Sequence, residues 1–464
     1  RVLRSLLNSH RLLVHHNHPH TSESNSMASS RTAALQLRLL AVAALCGLCL
    51  FPKTFVARRG IVSLERSFRA PHLRAWPNPS RRKIGSCVQV SRVAMDGISP
   101  QYVEHIVAAR ELMKAEGVEC LLVTKTPTFF WLTGGRCYVP TIEESGPAQL
   151  FVDQEKAVVV TTSIEGNKMR TQECLGFEVK EAAWAGLPGT MDAIITELVA
   201  GRSVETDTDS LEAKLDELMV DLTDHDVAAY RALGKDIGEA LAEAARSVCV
   251  GDSEYKVAGI THACYNKRGI DLVMIAVAHD ERISWDRHPL PRLGVGTELK
   301  KVCMIATCGR RKGLICSLSR LVCFGEVPAE LRTIHDVCMQ VDAEINLATV
   351  PGKSADELYH VIVKAYTDRG YGEQILQHHQ GGLIGYKCRH WIAQPGGQQV
   401  IKAGRAYAWN PTIAGKTIGT KSEDTIYVNN NGSMEVLTNS PDWPMVDVKT
   451  GDGRTMSRPD ILVK

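Results

Sequence analysis

From Ser99 onward the apolar and polar positions fall into blocks whose period changes, and each change marks an element. Ser99-Pro100 reads as a helix start, with Ser as cap and Pro at the first helical position. Val103, Ile106, Val107, Arg110 and Met113 then recur at helical spacing, and Gly117 closes the helix. Val118–Val123 and Phe129–Leu132 are short apolar runs that predict buried strands. Leu150–Val152 and Ala157–Thr162 flank the polar Asp153–Lys156 and predict a hairpin. Helices are predicted over Met191–Ala200 and Leu211–Leu222, with strand-like Ser203–Glu205 between them. That alternation makes residues 96–222 an α/β domain.

A second block begins with the Ala-rich helical run Asp224–Val250, followed by Ser253 as cap of the next helix. Strands are expected at Leu272–Ala278, Val302–Ala306 and Leu314–Arg320, and helices at Ala329–Ala348 and Ser354–Arg369, with Gly370 behind the last. A curved sheet backed by helices over 223–440 fits this order, with 441–464 as a C-terminal tail. No internal repeat interrupts it.

Composition narrows the class. The chain has 464 residues, enough for two or three domains with sizeable cores. It is 44% hydrophobic and 23% charged, with a formal net charge of +2, so no basic field points to nucleic acid. Fourteen Cys scattered through so long a chain do not make a disulfide framework, and reduced thiols are expected.

Residues 1–95 read as a targeting leader outside the fold. The His/Ser/Asn-rich stretch 1–26 reads as leader upstream of a start at Met27. Arg31 and Arg38 then precede an apolar core, Leu39–Phe51, too short for a membrane span. Phe55–Val93 is rich in Arg and Ser, and Glu65 is its only carboxylate, which is transit-peptide composition. The order resembles the bipartite plastid leaders of algae with secondary plastids, and a plastid location without a membrane span in the mature form is expected. A secreted or anchored protein is the other reading of the same residues.

Candidate chemistry sits in Gln377–Trp391, where His378, His379, Arg389 and His390 surround a Gly-rich turn-like centre. Gly lets a second backbone or a ligand approach closely, so a pocket wall is one reading and a surface turn the other. A second stretch follows: Asn410-Pro411, then Gly419-Thr420-Lys421-Ser422-Glu423-Asp424-Thr425.

Together these resemble the C-terminal half of the pita-bread fold of methionine aminopeptidase, Xaa-Pro aminopeptidase, prolidase and creatinase. That family reads His-Gly-x-Gly, then Glu-Pro, then Arg-x-Glu-Asp and a strand. This chain has Gly382-Leu383-Ile384-Gly385, Asn410-Pro411, and Lys421-Ser422-Glu423-Asp424 before the strand Thr425–Val428. Phe-Trp-Leu-Thr-Gly-Gly from Phe130 is similar to a segment of the creatinase-type N-terminal domain. The resemblance implies an α/β creatinase-type domain followed by an α+β pita-bread domain.

The resemblance also implies a site. Catalytic relatives hold two divalent metals with two Asp, one His and two Glu, and the metals activate a bridging water. With Gly313 and Arg320 fixing the register, the two Asp positions fall on Ala306 and Ser317, the His on Gly382 and the first Glu on Asn410. Only Glu423 is kept. The expected metal set is therefore none, with no cofactor. Substrate-side positions keep polar residues. His288 stands before the first metal strand, one residue further away than in the family. His378, His379, Arg389, Asn410 and Lys421 are the expected ligand-binding residues, and His288 and Glu423 the expected catalytic pair.

Three readings follow. The first is a metal-independent C–N hydrolase like creatinase, with His288 moving a proton and Glu423 orienting substrate or water. The second is a non-catalytic binding module, like the pita-bread domains of chaperones and ribosome-associated proteins. The third is a working metallopeptidase in another register. The expected partner is a small-molecule or peptide ligand, and a homodimer is the assembly expected.

Overall fold

The computed structural model describes residues 95, 97–187 and 189–464. The leader expectations lie outside the described residues. The first helix, α1 (Pro100–Glu116), starts at Pro100 and ends where Gly117 turns left-handed at φ 71°. Ser99 precedes it without a side-chain cap bond, so the proline alone sets that start.

Next come β1 (Cys120–Lys125) and α2 (Thr126–Thr133). The expected strand Phe129–Leu132 is therefore helical. Pro127 sits in its first turn and Gly134 ends it, while Phe129, Phe130, Trp131 and Leu132 are all buried. A two-turn helix buried on every side shows no 3.6 period in its apolar run and looks like a strand. The hairpin β2 (Ser145–Val152) and β3 (Ala157–Thr162) forms as expected. With β4 (Glu178–Ala182), α3 (Met191–Val199), β5 (Val204–Thr206) and α4 (Glu212–Leu218) the first domain is complete. Its sheet runs β4-β3-β2-β1-β5, with the outer pairs parallel.

The second domain opens with α5 (Asp224–Ser247), fixed by a capping box between Thr223 and Asp226. The same Asp226 carboxylate joins the domains. It pairs with His105 of α1 at 2.8 Å and accepts from Gln101 at 2.7 Å and Tyr386 at 3.0 Å. After α6 (Glu254–Asn266) come β6 (Asp271–His279), the single turn α7 (Arg282–Trp285), β7 (Val302–Arg311) and β8 (Leu314–Cys323). Then α8 (Ala329–Ala348) and α9 (Ala355–Thr367) pack as a helical layer.

The remaining strands are β9 (Gly381–Ile384), β10 (Trp391–Ile392), β11 (Arg405–Trp409), β12 (Thr412–Ala414), β13 (Gly419–Lys421), β14 (Asp424–Val428) and β15 (Met434–Val436). They form the sheet β10-β9-β11-β14-β15 and the ladder β12-β13. The turn expected around Gly382 is thus a central strand. Its neighbours come too close for side chains: a Cβ at Gly382 would lie 2.0 Å from the Trp391 carbonyl oxygen.

Residues 441–464, expected as a tail, are part of the fold. The hairpin β16 (Met445–Lys449) and β17 (Thr455–Pro459) seats Val448 and Met456 on Met339 and Ala343 of α8. The last strand, β18 (Leu462–Val463), pairs in parallel with β8, giving the sheet β18-β8-β7-β6. The two large sheets meet where Ser319 N donates to the Glu423 carbonyl at 3.1 Å. Among the described residues no helix is long and apolar enough to cross a membrane.

Candidate functional site

At that seam lies a cavity of about 170 Å³. Strands β6 and β7 supply Met274, Ala276, Ala306 and Cys308, at the spacing of two that puts residues on one face. The end of β11 supplies Asn410, the end of β13 Lys421, and the step into β14 Glu423. Arg287 and His288 come from the loop after α7, His379 from the segment before β9, and Cys388 and Arg389 from the β9–β10 turn.

Of the residues expected from sequence, His288, His379, Arg389, Asn410, Lys421 and Glu423 thus converge on one cavity. His378 does not line it. It is buried behind His288, its Nε2 3.1 Å from that of His288. Five lining residues were not expected: Met274, Ala276, Arg287, Cys308 and Cys388. The strand period from Ala306 signals Cys308, and Arg287 and Cys388 adjoin expected residues. Met274 depends on strand pairing and leaves no local mark.

Glu423 is held on both oxygens. Ser319 Oγ donates to Oε2 at 2.6 Å, and Arg389 Nη2 lies 3.4 Å from Oε1. Arg389 also reaches Ser317 Oγ at 3.5 Å. Lys421 is 3% exposed, and its ammonium has no hydrogen-bond partner among the described residues. Burial pushes its pKa down, with Glu423 pulling the other way. Burial likewise lowers His288, His378 and His379, helped by nearby Lys421 or Arg389, and His379 falls to about 4. These rings are neutral at pH 7. The Cys388 thiol is pulled down by hydrogen bonding with Cys308 and by Arg389, against burial. Asn410 Oδ1, His379 Nδ1, Arg389 Nε and Arg287 Nε are buried without a partner among the described residues. Buried polar atoms rarely stay so, and such a cluster marks a place for a ligand or water.

Residues 106–228 match the Creatinase/Prolidase N-terminal domain, and residues 228–430 match Metallopeptidase family M24. The chain thus carries a creatinase-type N-terminal domain followed by an M24 pita-bread domain. The Xaa-Pro dipeptidase of Bacillus anthracis shares the fold at a TM-score of 0.60 and 16% identity, covering 78% of this chain and 100% of its own. The prolidase of Pyrococcus horikoshii OT3 does so at 0.59 and 16%, over 73% and 98%. The N-terminal domain of the FACT complex subunit SPT16 from Cicer arietinum matches at 0.55 and 12%, over 74% and 96%. A comparison with curated proteins finds no match.

Within the pita-bread frame, Ala306, Asn410 and Glu423 line the cavity. Ser317 faces Cys308 across the β7–β8 ladder, with its Oγ 3.0 Å from the Cys308 sulfur. Gly382 is walled off by the backbone of β10.

Proposed function

We propose that this pita-bread protein binds a small ligand through an anionic group, a carboxylate-bearing small molecule or peptide, without di-metal peptidase chemistry. One observation carries the reading: Arg287, Arg389 and Lys421 line a cavity whose single carboxylate, Glu423, is already engaged by Ser319 and Arg389. Two divalent cations need several anionic donors, and this set offers one carboxylate, Glu423, with neutral imidazole, amide and thiol groups beside it. A histidine at position 382 has no room. These residues do not fit a di-metal centre, but they fit an anion, which brings hydrogen-bond acceptors to unpaired donors. The apolar wall of Met274, Ala276 and Ala306 suits a short aliphatic body. The cavity's volume corresponds to about six waters, which limits the buried part to roughly one residue.

A second reading is favoured by the His288–His378 contact. A neutral His288 backed by another imidazole fits a general acid/base for metal-independent C–N hydrolysis. A hydrolysis screen over Xaa-Pro peptides, guanidino compounds and amides separates the two. Binding alone predicts no turnover by pure protein and weaker ligand retention in Arg389→Ala. Turnover that falls roughly 10²–10⁴-fold in His288→Ala supports the hydrolase instead. Turnover unchanged in His288→Ala and Glu423→Gln removes that role for both residues.

A further inference from the structure

We infer that His288, His378 and His379 form a mononuclear site for a late first-row divalent cation of the zinc class, on the rim of the cavity and apart from the family's ligand positions. Among the described residues they are the one group of potential ligands close enough to share an ion, with one ligand atom from each, all within 4.8 Å of one another. Ring centroids are 4.7 Å apart for His288–His378 and for His378–His379, and 5.9 Å for His288–His379.

The hydrogen bonds orient the set. His378 Nδ1 donates to the backbone carbonyl of His379, which can only accept. That fixes the tautomer, so His378 Nε2 presents a bare lone pair to His288 Nε2 at 3.1 Å. Two imidazole nitrogens at that distance share either a proton or a cation. A tetrahedral ion with bonds of about 2.0–2.1 Å needs nitrogens roughly 3.3 Å apart, so small ring movements suffice. A carbonyl behind the ligating imidazole is the usual outer support of a metal-bound histidine. His379 Nδ1 is buried without a partner. The segment carrying both histidines is anchored, since Gln380 Nε2 donates to His378 O at 2.6 Å and Asn410 N to Gln380 O at 3.0 Å.

Three neutral imidazoles suit zinc, copper, nickel or cobalt rather than calcium or magnesium. His288 and His379 also line the cavity, so a ligand held there would lie beside the ion. An anion there would offset the ion's repulsion from Lys421 and Arg389. That last point rests on the binding reading; the three-histidine site does not.

The test is a zinc titration of chelator-stripped full chain, without other ligand, followed by calorimetry. One ion per chain is expected. His288→Ala, at an exposed side chain whose loss spares the fold, and His379→Gln should each weaken it roughly 10–100-fold or more. Glu423→Gln should leave zinc affinity unchanged. Cobalt should give weak d–d bands without thiolate charge transfer. The inference is overturned by the absence of saturable binding, by wild-type affinity in His288→Ala, by loss in Glu423→Gln, or by a thiolate band implicating Cys308 and Cys388. Carboxylate binding by zinc-free protein reports separately on the binding reading.

Discussion

Glu423 and Asp424 are consecutive residues, both buried, and their side chains meet different surroundings. Each Asp424 oxygen is engaged: Oδ1 by Arg320 at 2.9 Å and Thr438 at 2.8 Å, Oδ2 by Arg458 at 2.8 Å. Arg458 also donates to Asp342 at 2.8 Å, whose other oxygen accepts from Asn346 at 2.7 Å. The Glu423 side has one carboxylate, nearby cations and several polar atoms without partners. Charges of the first kind are locked into the frame and join α8, β8, β14 and β17. On the second side the frame holds Glu423 through Ser319 and Arg389 but leaves Arg389 Nε, Arg287 Nε, Asn410 Oδ1 and His379 Nδ1 without partners among the described residues. The contrast separates what the pita-bread architecture keeps for folding from what it offers to a ligand.

The largest effect should come from breaking the Asp424 side. Arg458→Ala leaves buried Asp342 without its cation and Asp424 with Arg320 alone, and should lower unfolding free energy by about 3–5 kcal/mol in denaturant titrations. A loss under 1 kcal/mol would mean that this pair behaves like a surface pair, and the division fails. Next is Gly382→His, which puts an imidazole where the motif register expects the catalytic relatives' histidine. Overpacking against β10 should cost roughly 1–3 kcal/mol and create no metal affinity at the cavity. A stable variant with new metal binding would show that the strand can yield.

Acid should then act through the pocket imidazoles. Folded His379 takes its proton near pH 4 instead of 6.5, so between those values the unfolded chain binds more protons. Stability should therefore fall as pH drops through that window, by up to about 1.4 kcal/mol per pH unit for each such ring. His379→Gln should flatten the slope; a slope of opposite sign is incompatible with buried neutral rings. Smallest is Glu423→Gln, which keeps a hydrogen-bonding side chain and should change stability by about 1 kcal/mol or less. A loss matching that of Arg458→Ala would make Glu423 part of the frame.

Sequence reading succeeded where one local rule sufficed. The Ser253 cap, Ala329–Ala348 and the β2–β3 hairpin depend on period and punctuation within a few residues. It failed at Phe129–Leu132, where burial on every side erased the helical period, and at Gly381–Ile384, where glycines serve strand packing rather than a turn. The 441–464 hairpin was hidden because Arg458 meets partners far away in sequence, at Asp342 and Asp424. In the site, motif register found His288, His379, Arg389, Asn410, Lys421 and Glu423. It could not show that Ser319 holds Glu423 or that His378 sits behind His288, since both are contacts between distant segments.

The most direct test of the account is calorimetric titration of zinc-free protein with a short Xaa-Pro peptide and with its C-terminal amide. The account predicts saturable binding of the free carboxylate, loss of that binding for the amide and in Arg389→Ala, and no hydrolysis. Equal binding of peptide and amide, or cleavage that depends on two bound metal ions per chain, would contradict it.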